Sequence, residues 1–334
     1  MRIGLAGAGR IGAFHASTLA GLEDVDQVVV ADAFPTVASA LAEQNGYEFA
    51  AELDDLLSRV DGLVITSPTS THAATLRAAV AAKVPTFCEK PVAATLDETL
   101  DLVDLVDEAE VPVHVGFQRR FDAGYRRARE AVMNGELGFI HTVRANTHDQ
   151  SPPPAAYIPT SGGLFRDCSI HDIDVLRFVT GREVATVYAV GANKGAEFFT
   201  QGGDIDTGAA VLTLDDDTLV TLSATRYNGG GHDVRMEVMG SEGTIGVGYD
   251  DSLAVRSVED GVDYPRGPQK WSFMERFLPA YRSELAAFCE VVGGRADSPC
   301  TVRDALQAFR VAEACELSRA SGRPVAMNEI GGAR

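Results

Sequence analysis

An apolar run, Arg2–Ala6, breaks into Gly7-Ala8-Gly9-Arg10-Ile11-Gly12, and a helical stretch follows near Ile11–Leu19. A G-x-G-x-x-G set between a strand and a helix restricts the fold more than any other feature of this chain. Gly7 allows the tight turn, Gly9 lets the backbone approach a pyrophosphate, and Gly12 lets the helix pack close to the strand. The first helical turn, with Arg10 and Ile11, then offers its amides and positive dipole end to that pyrophosphate. Glycine spacing alone is a weak signal, and its context strengthens it. Asp32 lies 20 residues past Gly12, at the end of the second apolar run. A carboxylate at that point meets the adenosine ribose hydroxyls. It would also repel a 2′-phosphate, and no Arg follows among Ala33, Phe34 and Pro35. NAD is therefore the expected cofactor; the plainer reading of Asp32 is a helix cap.

The first 117 residues alternate between apolar β-type runs and helical stretches. Strands are predicted at Arg2–Ala6, Gln27–Asp32, Tyr47–Phe49, Gly62–Thr66, Thr86–Glu89 and Pro112–Phe117. Continuous apolar strands separated by helices indicate a parallel sheet covered on both faces. After Phe121 the pattern changes. An Arg-rich helix near Gly124–Asn134 leads to a strand at Ile140–Asn146, and Pro152-Pro153-Pro154 must be loop. A helix at Leu164–Thr180 ends at Gly181. Hairpin arms at Ala209–Leu214 and Thr218–Thr225, and at Val234–Met239 and Thr244–Val247, precede helices at Tyr281–Val292 and Arg303–Ala320. The expected fold class is α/β: an N-terminal Rossmann domain, a doubly wound parallel sheet, followed by a C-terminal α+β domain on a largely antiparallel open sheet. The boundaries read as 1–120 for NAD binding and 121–334 for substrate binding and oligomerisation.

Composition excludes several classes. Lys and Arg number 29 against 48 Asp and Glu, a net charge of −19. That balance repels phosphate backbones and anionic lipid, so neither nucleic acid nor membrane is an expected partner. A neutral small molecule is compatible with it. No apolar run approaches the roughly 20 residues of a membrane span, and the opening residues are too short and glycine-rich for a signal peptide. Cys88, Cys168, Cys289, Cys300 and Cys315 are scattered and include no C-x-x-C pair. Reduced thiols in a cytoplasm are expected, with neither a disulfide framework nor a metal site.

Beyond the glycine loop, Ser67-Pro68-Thr69-Ser70-Thr71-His72 follows the fourth strand. It reads either as an ordinary helix N-cap or as a second loop over the nicotinamide ribose and diphosphate, with His72 positioning it. Glu89-Lys90-Pro91 ends the next strand, and Lys90 lies at the carboxyl end of a parallel strand, where ligands of open α/β sheets collect. Pro91 restricts Lys90 to extended geometry. Asp167 and His171 are spaced i, i+4 and share one helix face. A carboxylate beside an imidazole fixes its tautomer and stabilises the imidazolium. The same spacing also produces surface ion pairs. Gln118 and Arg119 follow the last parallel strand and reach toward nicotinamide or substrate, or form part of a solvated Arg pair. Asp149 accepts polyol hydroxyls or merely faces water. His114 and His15 read as core residues.

Together these motifs resemble the glucose–fructose oxidoreductase, inositol dehydrogenase and rhizopine-catabolism family (Gfo/Idh/MocA). The resemblance runs from Met1 to about Pro324 and rests on Gly7–Gly12, Ser67–His72, Glu89-Lys90-Pro91, 116–121 and 167–171. Residues Pro152 to Gly181 look most like the inositol-oxidising branch. What the resemblance implies is a catalytic trio of Lys90, Asp167 and His171. His171 would be the general base, and Lys90 would polarise the reacting oxygen. It also implies NAD held by Gly7, Gly9, Arg10, Ile11, Gly12, Asp32, Ser67, Pro68, His72, Glu89 and Gln118. Substrate contacts would come from Lys90, Asp149, Asp167, His171 and His232. His232 stands where inositol dehydrogenases tend to carry Tyr, which bears on substrate identity and not on reaction type. Oxidation of myo- or scyllo-inositol by a homodimer or homotetramer is the leading expectation. A dehydrogenase of another sugar, an NAD-retaining redox-assisted glycosidase and a non-catalytic sensor are the alternatives; the trio argues against the last.

Overall fold

The computed structural model describes residues 1–331. Within them the chain divides into two units: Met1–Phe121 with Pro279–Leu306, and Asp122–Leu278 with the chain from Gln307 onward. Pro279–Leu306 thus groups with the N-terminal residues, whereas the sequence division puts everything past residue 120 in the second domain. The cause is packing. Leu285 and Phe288 are fully buried in the cluster formed by Ile3, Leu5, Val28, Val30, Val64 and Phe87.

The first unit holds strands β1 (Arg2–Ala6), β2 (Gln27–Ala31), β3 (Glu48–Phe49), β4 (Gly62–Ile65), β5 (Thr86–Glu89) and β6 (Val113–Gly116). Helices α1 (Arg10–Ala20), α2 (Pro35–Asn45), α3 (Leu53–Leu57), α4 (Thr69–Ala81) and α5 (Leu96–Ala109) lie between them. Every strand pairing is parallel, in the order β3-β2-β1-β4-β5-β6. This is the doubly wound sheet read from the sequence. β4 and β6 are buried at every position, as strands covered on both faces must be. The order reverses between β1 and β4, so the strands' carboxyl ends open a crevice there.

The second unit begins with α6 (Ala123–Met133), β7 (Ile140–His148), α7 (Ile170–Thr180), β8 (Val184–Ala192) and α8 (Phe198–Gln201). It continues with β9 (Thr207–Leu214), β10 (Leu219–Thr225), β11 (Asp233–Gly240) and β12 (Thr244–Val247). Helices α9 (Phe273–Val292) and α10 (Val302–Ser321) contribute residues to both units, and β13 (Val325–Ala326) follows. The sheet runs β12-β11-β7-β10-β9-β8-β13; only β7 and β10 pair in parallel. It is the largely antiparallel sheet expected. Its strands alternate: Val143, Ala145, Leu212, Val220, Leu222 and Ala224 are buried on one face, while Tyr188, Val190, Val211 and Leu219 are exposed on the other.

Candidate active site

In the first unit every predicted cofactor residue lies at or after the carboxyl end of a parallel strand, because β1, β2, β4, β5 and β6 all run the same way. Gly7 has φ +111°, and a Cβ there would lie 2.4 Å from the Ser67 nitrogen. A Cβ at Gly12 would lie 1.9 Å from the Gly7 carbonyl oxygen. These two glycines let the turn fold and α1 seat against it. Gly9 differs: a Cβ there would meet nothing within 4 Å. Its bare backbone borders open space, beside a helix start with no side-chain cap and no acid in the first turn. That cradle fits a pyrophosphate. Asp32 is anchored beside it, accepting the Ala8 N–H at 2.7 Å and the Phe34 N–H at 2.8 Å. Each carboxylate oxygen keeps a lone pair for a ribose hydroxyl. Arg10 is exposed and Ile11 half-buried at the same helix start.

The Ser67 loop is tied down by His72, which is 2 % exposed. Its Nδ1 lies 2.8 Å from the Pro91 carbonyl oxygen and its Nε2 2.8 Å from that of Ser67. His72 thereby links the loop of Ser67 and Pro68 to the residue after Lys90. The Lys90–Pro91 peptide is cis. Glu89 is held from the other side, with Oε1 2.7 Å from His15 Nε2 and Oε2 accepting the Lys90 N–H at 3.2 Å. His15 is therefore buried, and it also pairs. Gln118 opens a short 3-10 helix and is 3 % exposed. Its neighbours are no solvated Arg pair: Arg119 and Arg120 are both buried, and Arg120 lies 3.3 Å from Asp304.

The second unit gathers a polar cluster at the ends of β7 and β10. His148 pairs with Thr225, so Asp149 and Arg226 take the next positions along two adjacent strands, and the Asp149 N–H donates to the Thr225 carbonyl at 2.9 Å. The Arg226 guanidinium donates to Asp149 Oδ2 at 3.2 Å and to Asp167 Oδ2 at 2.6 Å. Tyr157 donates its hydroxyl to Asp167 Oδ1 at 3.0 Å. His232 Nδ1 lies 3.4 Å from Asp149 Oδ1, and the Cys168 thiol 3.5 Å from Asp149 Oδ2. Burial works to raise the Asp149 pKa, yet the His232 hydrogen bond and the Arg226 charge hold it below the usual carboxylate range. Burial and the neighbouring Asp167 carboxylate push the Tyr157 phenol well up. Asp167 sits on a π-helical turn, Phe165–Ser169, that runs directly into α7, whose second residue is His171. The sequence reading made this one continuous α-helix. The wider π turn re-aims the carboxylate, and such turns recur at functional sites.

Sequence reasoning missed Tyr157 and Arg226. Arg226 carried a usable signal. It continues the buried phase of Val220, Leu222 and Ala224, where a charge needs a partner. Asp149 continues the phase of Val143, Ala145 and Thr147 in the same manner.

Comparison with known proteins agrees with both units. The family model for the oxidoreductase family's NAD-binding Rossmann fold matches residues 1–117, and that for its C-terminal alpha/beta domain matches 129–327. The chain belongs to the Gfo/Idh/MocA oxidoreductase family. As a member it is an NAD-binding oxidoreductase. It is similar to the myo-inositol dehydrogenase Hyg17 of Streptomyces leeuwenhoekii, 39% identical over 98% of this chain and 100% of the relative. A solved Gfo/Idh/MocA neighbour, described as a putative myo-inositol dehydrogenase from Sinorhizobium meliloti 1021, has a TM-score of 0.91 at 33% identity, covering 98% of this chain and 99% of that one. The scyllo-inositol dehydrogenase of Lactobacillus casei, solved with NAD(H) and scyllo-inositol, gives 0.88 at 29% identity over 98% and 99%. All five cysteines are buried thiols. Among the described residues no helix is long and apolar enough to cross a membrane.

Proposed function

We propose that this Gfo/Idh/MocA oxidoreductase oxidises a secondary alcohol of a cyclic polyol, myo- or scyllo-inositol, to the keto-inositol. The observation that carries the reading is the polar cluster of the second unit, where Asp149 and Asp167 share one buried guanidinium just ahead of His171. Carboxylates held in this way accept hydrogen bonds from neutral hydroxyls and give no attraction to an anionic substrate. Similarity to proteins named as myo- and scyllo-inositol dehydrogenases supports the same class.

NAD, when bound, supplies the hydride acceptor; Gly7–Gly12, Asp32, Ser67, Pro68, His72, Glu89 and Gln118 are the residues assigned to hold it. The hydroxyl proton passes to Nε2 of His171, whose Nδ1 is buried. Asp167, four residues earlier, favours the resulting imidazolium. Lys90 donates a hydrogen bond to the reacting oxygen and favours its developing negative charge. Asp149 and His232 receive the remaining ring hydroxyls. Purified protein mixed with NAD and inositol at mildly alkaline pH should generate NADH absorbance. Lys90→Ala and His171→Ala should each lower kcat on the order of 10²–10⁴-fold while NAD still binds. Absence of turnover across inositols and monosaccharides would defeat the polyol reading; near-normal rates in either variant would defeat the assigned roles.

The same reading includes self-association, as a dimer or tetramer, through the open face of the seven-stranded sheet. It also places the enzyme in the cytoplasm, where buried reduced thiols persist.

A further inference from the structure

Arg226 is 4 % exposed at its side chain, and its position follows from strand register, with Thr225 opposite His148 and Arg226 next to Asp149. One positive charge faces two carboxylates, Asp149 Oδ2 at 3.2 Å and Asp167 Oδ2 at 2.6 Å. Its backbone N–H is fixed as well, donating to the Asp206 carbonyl at 2.8 Å. Buried ion clusters of this kind are poor devices for stability, because apolar side chains of similar volume serve as well or better. A buried guanidinium with two acids is better explained by what it does to those acids.

We propose that Arg226 is a positioning residue for the oxidation: it fixes the angle and the negative charge of Asp167, so that this carboxylate can serve His171. The proposal rests on the reading of Asp167 and His171 as catalytic groups. Both Asp167 oxygens are addressed, Oδ2 by Arg226 and Oδ1 by the Tyr157 hydroxyl at 3.0 Å, so the carboxylate cannot rotate without breaking two hydrogen bonds. Other titratable groups stand around the cluster. Cys168 and His232 lie against Asp149. Asp172 accepts from Thr147 Oγ1 at 2.7 Å, and His148 faces Ser223 and Asp233. Arg226 with its two acids carries one net negative charge, and a proton taken up by His171 cancels it. Proton transfer from the substrate hydroxyl is thereby favoured. The fixed cation also keeps the Asp167–His171 pair from taking up that proton from bulk water too early. Arg226 remains strongly charged throughout, because its acids outweigh the cost of burial.

The test is a pH–rate profile of Arg226→Gln, beside Arg226→Lys and Arg226→Ala with added guanidinium. Loss of a neighbouring cation should let the Asp167–His171 pair take its first proton about one pH unit higher. The acid limb of kcat should move up by the same amount, and kcat should drop on the order of 10²-fold. Arg226→Lys should lie between, and low-millimolar guanidinium should recover part of the Arg226→Ala loss. NMR titration of ring-labelled histidine and carboxyl-labelled aspartate follows the pair without any substrate. If the wild type oxidises no polyol yet the variant's titration moves as stated, the proposed function fails and the role of Arg226 stands. If polyol turnover is normal in the wild type but titration and acid limb stay put in Arg226→Gln, the role of Arg226 is overturned. A fall in melting temperature that neither Lys nor guanidinium repairs, with an unmoved pH profile in Arg226→Lys, overturns it also.

Discussion

His114 stacks between Phe87 and Phe121 in the first unit, with ring centroids 5.3 and 5.5 Å away. It is the core residue that its apolar strand predicts. Burial, and secondarily the Arg120 charge, push its pKa down to about 3. Glu284 Oε1 stands 3.9 Å from Nε2, too far to reverse this. An unfolded histidine titrates near 6.5, so between that pH and about 3 the unfolded chain binds the extra proton. The stability owed to the neutral ring is fully present above about pH 6.5 and drains as pH falls, at about 1.4 kcal/mol per unit. His114→Leu abolishes this proton site. Its melting temperature should therefore fall less steeply than that of the wild type between about pH 6.5 and 4.5. Parallel curves would mean that the buried ring accepts a proton without penalty.

Elements carry the next level of constraint, and the glycine loop tests it cleanly. Gly12→Ala forces a methyl 1.9 Å from the Gly7 oxygen, so both melting temperature and NAD affinity should drop. Gly9→Ala meets no protein atom within 4 Å. Its melting temperature should match the wild type while NAD binding weakens severalfold by calorimetric titration, because the methyl occupies the pyrophosphate's approach. Unchanged affinity in Gly9→Ala would show that the phosphates bind elsewhere. The same loop explains why the first unit was so legible. Parallel strands buried on both faces write themselves as apolar runs, and the chemistry sits on the turns immediately after them. The second unit hides more. β8 (Val184–Ala192) is hard to read because its alternation puts the apolar Tyr188 and Val190 on the exposed face as well as Val187 and Ala189 on the buried one. The Asp149–Arg226 pair depends on a parallel register between strands some 77 residues apart, which no local pattern encodes. The π turn under Asp167 widens the backbone to i→i+5 bonding, and no residue type in Phe165–Ser169 marks that change in the sequence.

Charge acts on the whole molecule. At −19, two copies repel one another, and any association must come from surface that gains by leaving water. The open sheet face supplies such surface. Tyr188 pairs with Val211, and both are exposed beside Val190 around a hollow of about 560 Å³. Apolar contact of this sort does not weaken with salt, whereas repulsion between the acidic copies is screened beyond about 8–10 Å at ordinary ionic strength. Self-association should therefore tighten as sodium chloride rises from about 10 to 300 mM, opposite to the behaviour of an ion-pair interface. Val190→Glu combined with Val211→Glu adds carboxylates to the centre of the strip. Light scattering on this variant should report the monomer mass at concentrations where the wild type is at least dimeric. A wild type that stays monomeric at every salt leaves this face without a second copy, and a double variant that still associates transfers the interface to another surface.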